Sequence, residues 1–124
     1  MCGHRVLVVD DEPDIRTILR RTLLNGGFCV CEAGDGVEAL KAAQQCDISA
    51  ILMDINMPRM SGTEAVRQLR LIPRFATTPI IIITANAAML PMGRSGQVGD
   101  MLVFSKPLNL SQVLTAVQQA VLAA

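Results

Sequence analysis

The chain has 124 residues, half of them apolar, and its eleven basic and eleven acidic side chains cancel to a formal charge of zero. One domain with a real core is the natural reading at this length, and the neutral balance does not favour nucleic acid, which asks for a basic face. The opening MCGHRVLVVDDE reaches acids before any apolar stretch of signal length, and the longest apolar run, PIIIIT, is far too short to span a bilayer; a cytoplasmic protein, with no membrane and no nucleic-acid partner, is expected.

Strand-like and helix-like segments alternate along the whole chain. Arg5–Asp10 is a short β-branched run flanked by acids. Apolar residues at Ile15, Ile18, Leu19 and Leu23 have helical spacing within Asp14–Leu24; Pro13 suits the first turn and Gly26-Gly27 ends it. Phe28–Ala33 reads as a second strand, and Gly36–Gln45 as a helix capped by Asp35. Ser49–Asp54 is apolar up to its last residue, as expected of a strand covered on both faces. Ser61 is placed to cap a helix over Gly62–Leu71. Pro79–Thr84 and Met101–Ser105 are the remaining strands, and Asn109 caps a last helix with Leu110, Val113, Leu114, Val117 and Val121 on one face. A helix is also expected between Asn86 and Gly99, short, broken or mobile because Pro91, Gly93, Gly96 and Gly99 all disfavour it. The sum is an α/β chain, (βα)5, with a parallel sheet and helices on both faces. All 124 residues form one domain, with no repeat, linker or low-complexity tract.

The four cysteines, Cys2, Cys29, Cys31 and Cys46, contain no C-x-x-C pair, and His4 is the single histidine. A zinc site is poorly supported, and small buried hydrophobes are the expected role.

Five polar residues stand where apolar runs stop: Asp10 and Asp11 after RVLVV, Asp54 after SAILM, Thr84 after PIIII, and Lys106 after MLVFS. An open parallel sheet binds ligands beyond the carboxyl ends of its strands, so the fold would bring these four segments to one rim. Each residue alone has an ordinary role: acids at strand ends cap helices, as Asp11 or Glu12 could. Together they describe three acids that need a cation. Hard oxygen ligands suit Mg²⁺ (or Mn²⁺), and one carboxylate could then attack a phosphoryl group while Thr84 and Lys106 hold its oxygens.

VLVVDDEPDIR, ILMDINMPRMSG, PIIIITANA and SKPL, in this order and spacing, resemble the receiver domain of two-component response regulators over the whole chain. The resemblance implies a doubly wound, flavodoxin-like three-layer sandwich with sheet order 2-1-3-4-5. It implies Asp54 as phosphoacceptor, Asp10, Asp11 and the Asn56 carbonyl completing the metal site with Asp54, and Thr84 and Lys106 on the phosphoryl group. Lys106-Pro107 matches a peptide bond that is usually cis. Asn56 and Asn86 fall where hydrolysis of the acyl phosphate is tuned. The implied donor is a phosphohistidine on a histidine kinase or histidine phosphotransfer protein. The domain is expected to catalyse its own phosphorylation and dephosphorylation rather than act as a conventional enzyme. The chain ends where a receiver ends, which would fit a stand-alone regulator, yet TANA and LIPRFATTP also resemble receivers fused to hybrid kinases.

The chain departs from the family in one region. The switch position three residues before Lys106 is usually Tyr or Phe and here is Val103; alternation points Phe104 to the other face. Leu110–Ala124 carries no charged side chain, so the 86–124 face is a candidate surface for a protein target or a homodimer. Arg16, Arg20 and Arg21 form a second candidate contact surface. Two other functions stay open: a degenerate receiver acting as a constitutive scaffold, and a phosphohydrolase of the haloacid dehalogenase type. The latter needs an acid where Asn56 stands.

Overall fold

Alternation along the strands accounts for the architecture. The computed structural model describes residues 3–55, 57, 60–85, 97–98 and 101–123. In chain order the elements are β1 (Arg5–Val9), α1 (Pro13–Asn25), β2 (Cys29–Ala33), α2 (Gly36–Gln45), β3 (Ala50–Asp54), α3 (Gly62–Leu71), a 3-10 turn (Pro73–Phe75), β4 (Ile80–Thr84), β5 (Gln97–Val98), β6 (Met101–Ser105) and α4 (Leu110–Ala123). The sheet order is β2-β1-β3-β4-β6-β5. Its five long strands are parallel and follow the expected 2-1-3-4-5 order.

Successive side chains of a strand face opposite ways. Val6, Val8, Leu52, Ile81 and Ile83 pack with Leu19 and Leu23 of α1 and Val113 and Val117 of α4. Leu7, Val9, Ile51, Met53, Ile80 and Ile82 pack with Ala39 and Ala43 of α2 and Ala65, Val66 and Leu69 of α3. The result is three layers with an apolar cluster on each side of the sheet. β3 and β4 are buried along their whole length, as strands covered on both faces are, whereas the flanking strands β2 and β6 are half-buried.

Local chemistry sets the helix ends. Pro13 begins α1, and Gly27 leaves it at a φ of +91°, a conformation that glycine adopts without steric cost. Asp35, Ser61 and Asn109 accept from the backbone amides of Glu38, Glu64 and Gln112, so all three expected caps are made.

One element differs from expectation. Gln97 and Val98, inside the span read as a fourth helix, form a short antiparallel strand against Met101 and Leu102. Flanking Gly96 and Gly99 remove helical preference while Val98 favours extended backbone. Residues 86–96 and 99 of that span lie outside the described residues.

Gly62 is fixed by a close approach. Its amide donates to the Ile55 carbonyl at 2.8 Å, and a Cβ at this position would overlap the Asp54 carbonyl oxygen. Gly62→Ala is expected to cost about 2–3 kcal/mol in urea denaturation, since backbone atoms on either side must move. A loss under about 0.5 kcal/mol, the level of an ordinary surface change, would show that the approach is not tight.

Candidate functional site

The carboxyl ends of β1, β3, β4 and β6 meet at one rim. β1 pairs with β3, β3 with β4 and β4 with β6, the last register ending on Thr84 opposite Ser105. Asp10, Asp54, Thr84 and Lys106 follow or end these strands. The Lys106 amide donates to the Thr84 carbonyl at 2.9 Å, and the Lys106-Pro107 peptide is cis.

Lys106 gathers the acids. Its Nζ lies 2.9 Å from Asp10 Oδ2, 3.0 Å from Glu12 Oε1 and 3.4 Å from Asp54 Oδ2. The Lys106 side chain is only 13% exposed, Asp54 3% and Asp10 0%, while Glu12 is 59% exposed. Burial alone pulls the ammonium down. The contacts with Asp10 and Glu12 and the charges of Asp54 and Asp10 outweigh it and hold Lys106 above the usual lysine range.

Asp10 shows how the loop is built. Its Oδ1 accepts from the Glu12 amide at 2.9 Å, and its own amide donates to the Ala33 carbonyl at 3.1 Å. Arg16 reaches back from α1 to the Asp10 carbonyl at 2.7 Å. Glu12 is the N-cap residue of α1, yet its side chain makes no cap bond and turns to Lys106 instead. Helix capping is therefore not what this acid does.

Carboxylate oxygens of Asp10, Asp11 and Glu12 lie within 4.8 Å of one another. With Asp54 the rim carries four carboxylates, of which Asp10, Glu12 and Asp54 contact the Lys106 ammonium. Asp10 Oδ2 is buried and, among the described residues, meets the Lys106 ammonium at 2.9 Å. A cluster of hard carboxylate oxygens, one of them buried, fits a divalent cation such as Mg²⁺.

Sequence reasoning named Asp10, Asp11, Asp54, Thr84 and Lys106, and the structure gathers Asp10, Asp54 and Lys106 in direct contact. Thr84 is buried at the end of the neighbouring strand, and Asp11 is exposed beside Asp10. Asn56 and Asn86 lie outside the described residues. Glu12 enters as a direct partner of Lys106; its place in an acidic triplet was the available signal. Arg16 and Arg20 belong, with Arg21, to the candidate contact surface on α1. They pair with Glu32 at 3.5 and 3.1 Å, so their first role is to tie α1 to β2. Val103 and Phe104 do face opposite sides of the sheet, Val103 with the α2–α3 cluster and Phe104 with the α1–α4 cluster.

The family model described as response regulator receiver domain matches residues 6–118. The chain is 36% identical over 114 residues to the sensor protein EvgS of Escherichia coli, covering 92% of this chain and 9% of that protein. It spans about half the length of other curated relatives it matches. Among solved structures, the chemotaxis protein CheY4 of Vibrio cholerae is 34% identical with a TM-score of 0.81, covering 94% of this chain and 98% of the other. The response regulator TrrA of Thermotoga maritima, solved in complex with Mg(2+)-BeF, is 31% identical with a TM-score of 0.80 and the same coverage. No helix among the described residues is long and apolar enough to cross a membrane. Sheet order, rim and family model agree, and the chain belongs to the receiver domain family of two-component response regulators.

Proposed function

We propose that Asp54 accepts a phosphoryl group from a phosphohistidine of a histidine kinase or histidine phosphotransfer protein, with Mg²⁺ (or Mn²⁺) as cofactor. The observation that carries this reading is the contact of one largely buried ammonium, Lys106, with both Asp10 and Asp54 at the rim. Asp10, Asp11, Asp54 and the Asn56 carbonyl would hold the metal. When bound, it supplies positive charge for the phosphoryl oxygens.

The chain's own residues then divide the work. The Asp54 carboxylate attacks phosphorus, an O–P bond forms, and the N–P bond to the imidazole breaks. Lys106 keeps its proton throughout and stabilises charge that collects on the transferred oxygens. Thr84, at the adjacent strand end, offers a hydroxyl to the phosphoryl group. Asn56 and Asn86 tune the hydrolysis that returns Asp54 to its free form. The domain thus catalyses its own turnover and is not an enzyme in the conventional sense.

A donor has a place to dock. An apolar groove of about 210 Å³ between α1 and the residues after β6 runs beside Lys106, lined by Ile15, Ile18 and Leu108. On the output side, Leu122 of α4 is 84% exposed and a groove of about 390 Å³ lies between Phe104 and α4, which supports a protein target or a second copy at the 86–124 face. Size-exclusion chromatography with and without beryllofluoride should show a larger species only with the mimic if that partner is a second copy.

Incubation with Mg²⁺ and phosphoramidate tests the central claim. The chain should gain one phosphoryl group, released by hydroxylamine as an acyl phosphate is, and EDTA should suppress the gain. No incorporation, or incorporation that resists hydroxylamine, overturns the reading.

A further inference from the structure

Two thiols on the α2 side of the sheet lie in contact, outside the acidic cluster. Cys31 belongs to β2 and Cys46 follows the last turn of α2; their Sγ atoms are 3.2 Å apart. Both are free and half-buried, rather than the fully buried filler expected from the sequence. Cys31 stands opposite Leu7 in the register and packs against the α2–α3 cluster.

The pair is held from both sides. The Cys46 amide donates to the Ala42 carbonyl at 3.0 Å. Arg74, from the turn after α3, donates to the carbonyls of Ala43 and Cys46 and lies 3.7 Å from Asp47. The end of α2 is thereby pinned over β2. Closing the remaining distance to an S–S bond of about 2.05 Å takes a side-chain adjustment of about 1 Å. Burial, then the hydrogen bond and charge of Cys46, push the Cys31 thiol up to about 11, with Arg5 pulling the other way. Cys31 therefore stays protonated at neutral pH and donates to Cys46.

We propose that Cys31 and Cys46 form a reversible intramolecular disulfide, a modification site that takes a peroxide as its oxidant. The Cys46 sulfur attacks one peroxide oxygen, the O–O bond breaks and water leaves, giving a sulfenic acid at Cys46. The Cys31 sulfur then attacks the Cys46 sulfur, and the departing hydroxide leaves as water with the Cys31 proton. Two thiols lose two electrons in total, and one peroxide becomes two waters. A dithiol reductant reverses the change. The bond would tie β2, whose Ala33 carbonyl holds the Asp10 amide, to the far end of α2.

The test uses the full chain carrying Cys2→Ser and Cys29→Ser, so that only this pair remains, treated with hydrogen peroxide. The expected result is a monomer that has lost two hydrogens, a Cys31–Cys46 cross-linked peptide on digestion, and a melting temperature raised by roughly 5–10 °C, all reversed by dithiothreitol. Adding Cys31→Ser or, separately, Cys46→Ser should abolish both cross-link and shift. Peptide mapping of the otherwise wild-type chain reads the same bond without any substitution. Sulfinic acid at Cys46 without a cross-link, a bond between two copies, or unchanged thiols would each overturn the proposal. None of these outcomes depends on phosphorylation of Asp54.

Discussion

Asp54→Asn should abolish phosphoryl uptake, lowering incorporation from Mg²⁺ and phosphoramidate by at least about 100-fold, because the amide is not a nucleophile toward phosphorus. The fold should survive the change. Lys106 keeps its contacts with Asp10 and Glu12, and the acidic cluster loses one of its four negative charges. Urea denaturation in EDTA should therefore show the variant to be at least as stable as the parent, which separates lost chemistry from lost structure. Incorporation that persists in Asp54→Asn would place the acceptor elsewhere, with the exposed Asp11 and Glu12 as the first residues to map.

Lys106→Met should have the second large effect, on stability and chemistry together. Asp10 and Asp54 are almost fully buried, and Lys106 is the cation both of them touch. Removing one partner of a buried ion pair typically costs about 3–5 kcal/mol, because the remaining charge stays desolvated. We expect a loss near the lower end in EDTA, since Asp10 keeps its hydrogen bond from the Glu12 amide. Addition of Mg²⁺ should restore a measurable part of it, because a divalent cation neutralises the same oxygens. Phosphoryl uptake should stay at least about tenfold below the parent at saturating Mg²⁺. A variant as stable as the parent in EDTA would show that Asp10 and Asp54 do not need the ammonium.

The pH dependence of the parent follows from the same contacts. Lys106 is held above its ordinary value of about 10.4 in the folded state. Its contribution to stability is thus fully present below about pH 10.4 and is lost only as pH rises through the higher folded value. Urea midpoints compared between parent and Lys106→Met should differ by a constant amount from pH 8 to pH 9.5 and converge at more alkaline pH. A difference that shrinks already below pH 9 would contradict the raised ammonium.

Much of this was legible in the chain. Runs such as SAILMD and PIIIIT announced central strands because a strand covered on both faces needs no alternation, and their polar last residues marked the rim. The caps at Asp35, Ser61 and Asn109 were legible because capping is a contact between residues three apart. Less legible were contacts that depend on where separate elements come to rest. Glu12 looked like a helix cap, yet a lysine 94 positions away claims its carboxylate. The candidate contact surface of Arg16, Arg20 and Arg21 was visible in the sequence, but the pairing of Arg16 and Arg20 with Glu32 of β2 was not.

By itself the sequence determined the alternating α/β class, the boundaries of the five parallel strands and of the four described helices to within a residue or two, and the residue types that end the strands. These are consequences of hydrophobic periodicity and of short-range backbone chemistry. Only the tertiary structure decided which acids share Lys106, that Gln97–Val98 extends the sheet edge, and that Cys31 meets Cys46. Each of these is a distance between segments remote in the chain, set by how the sheet and its helix layers pack and not by any local preference.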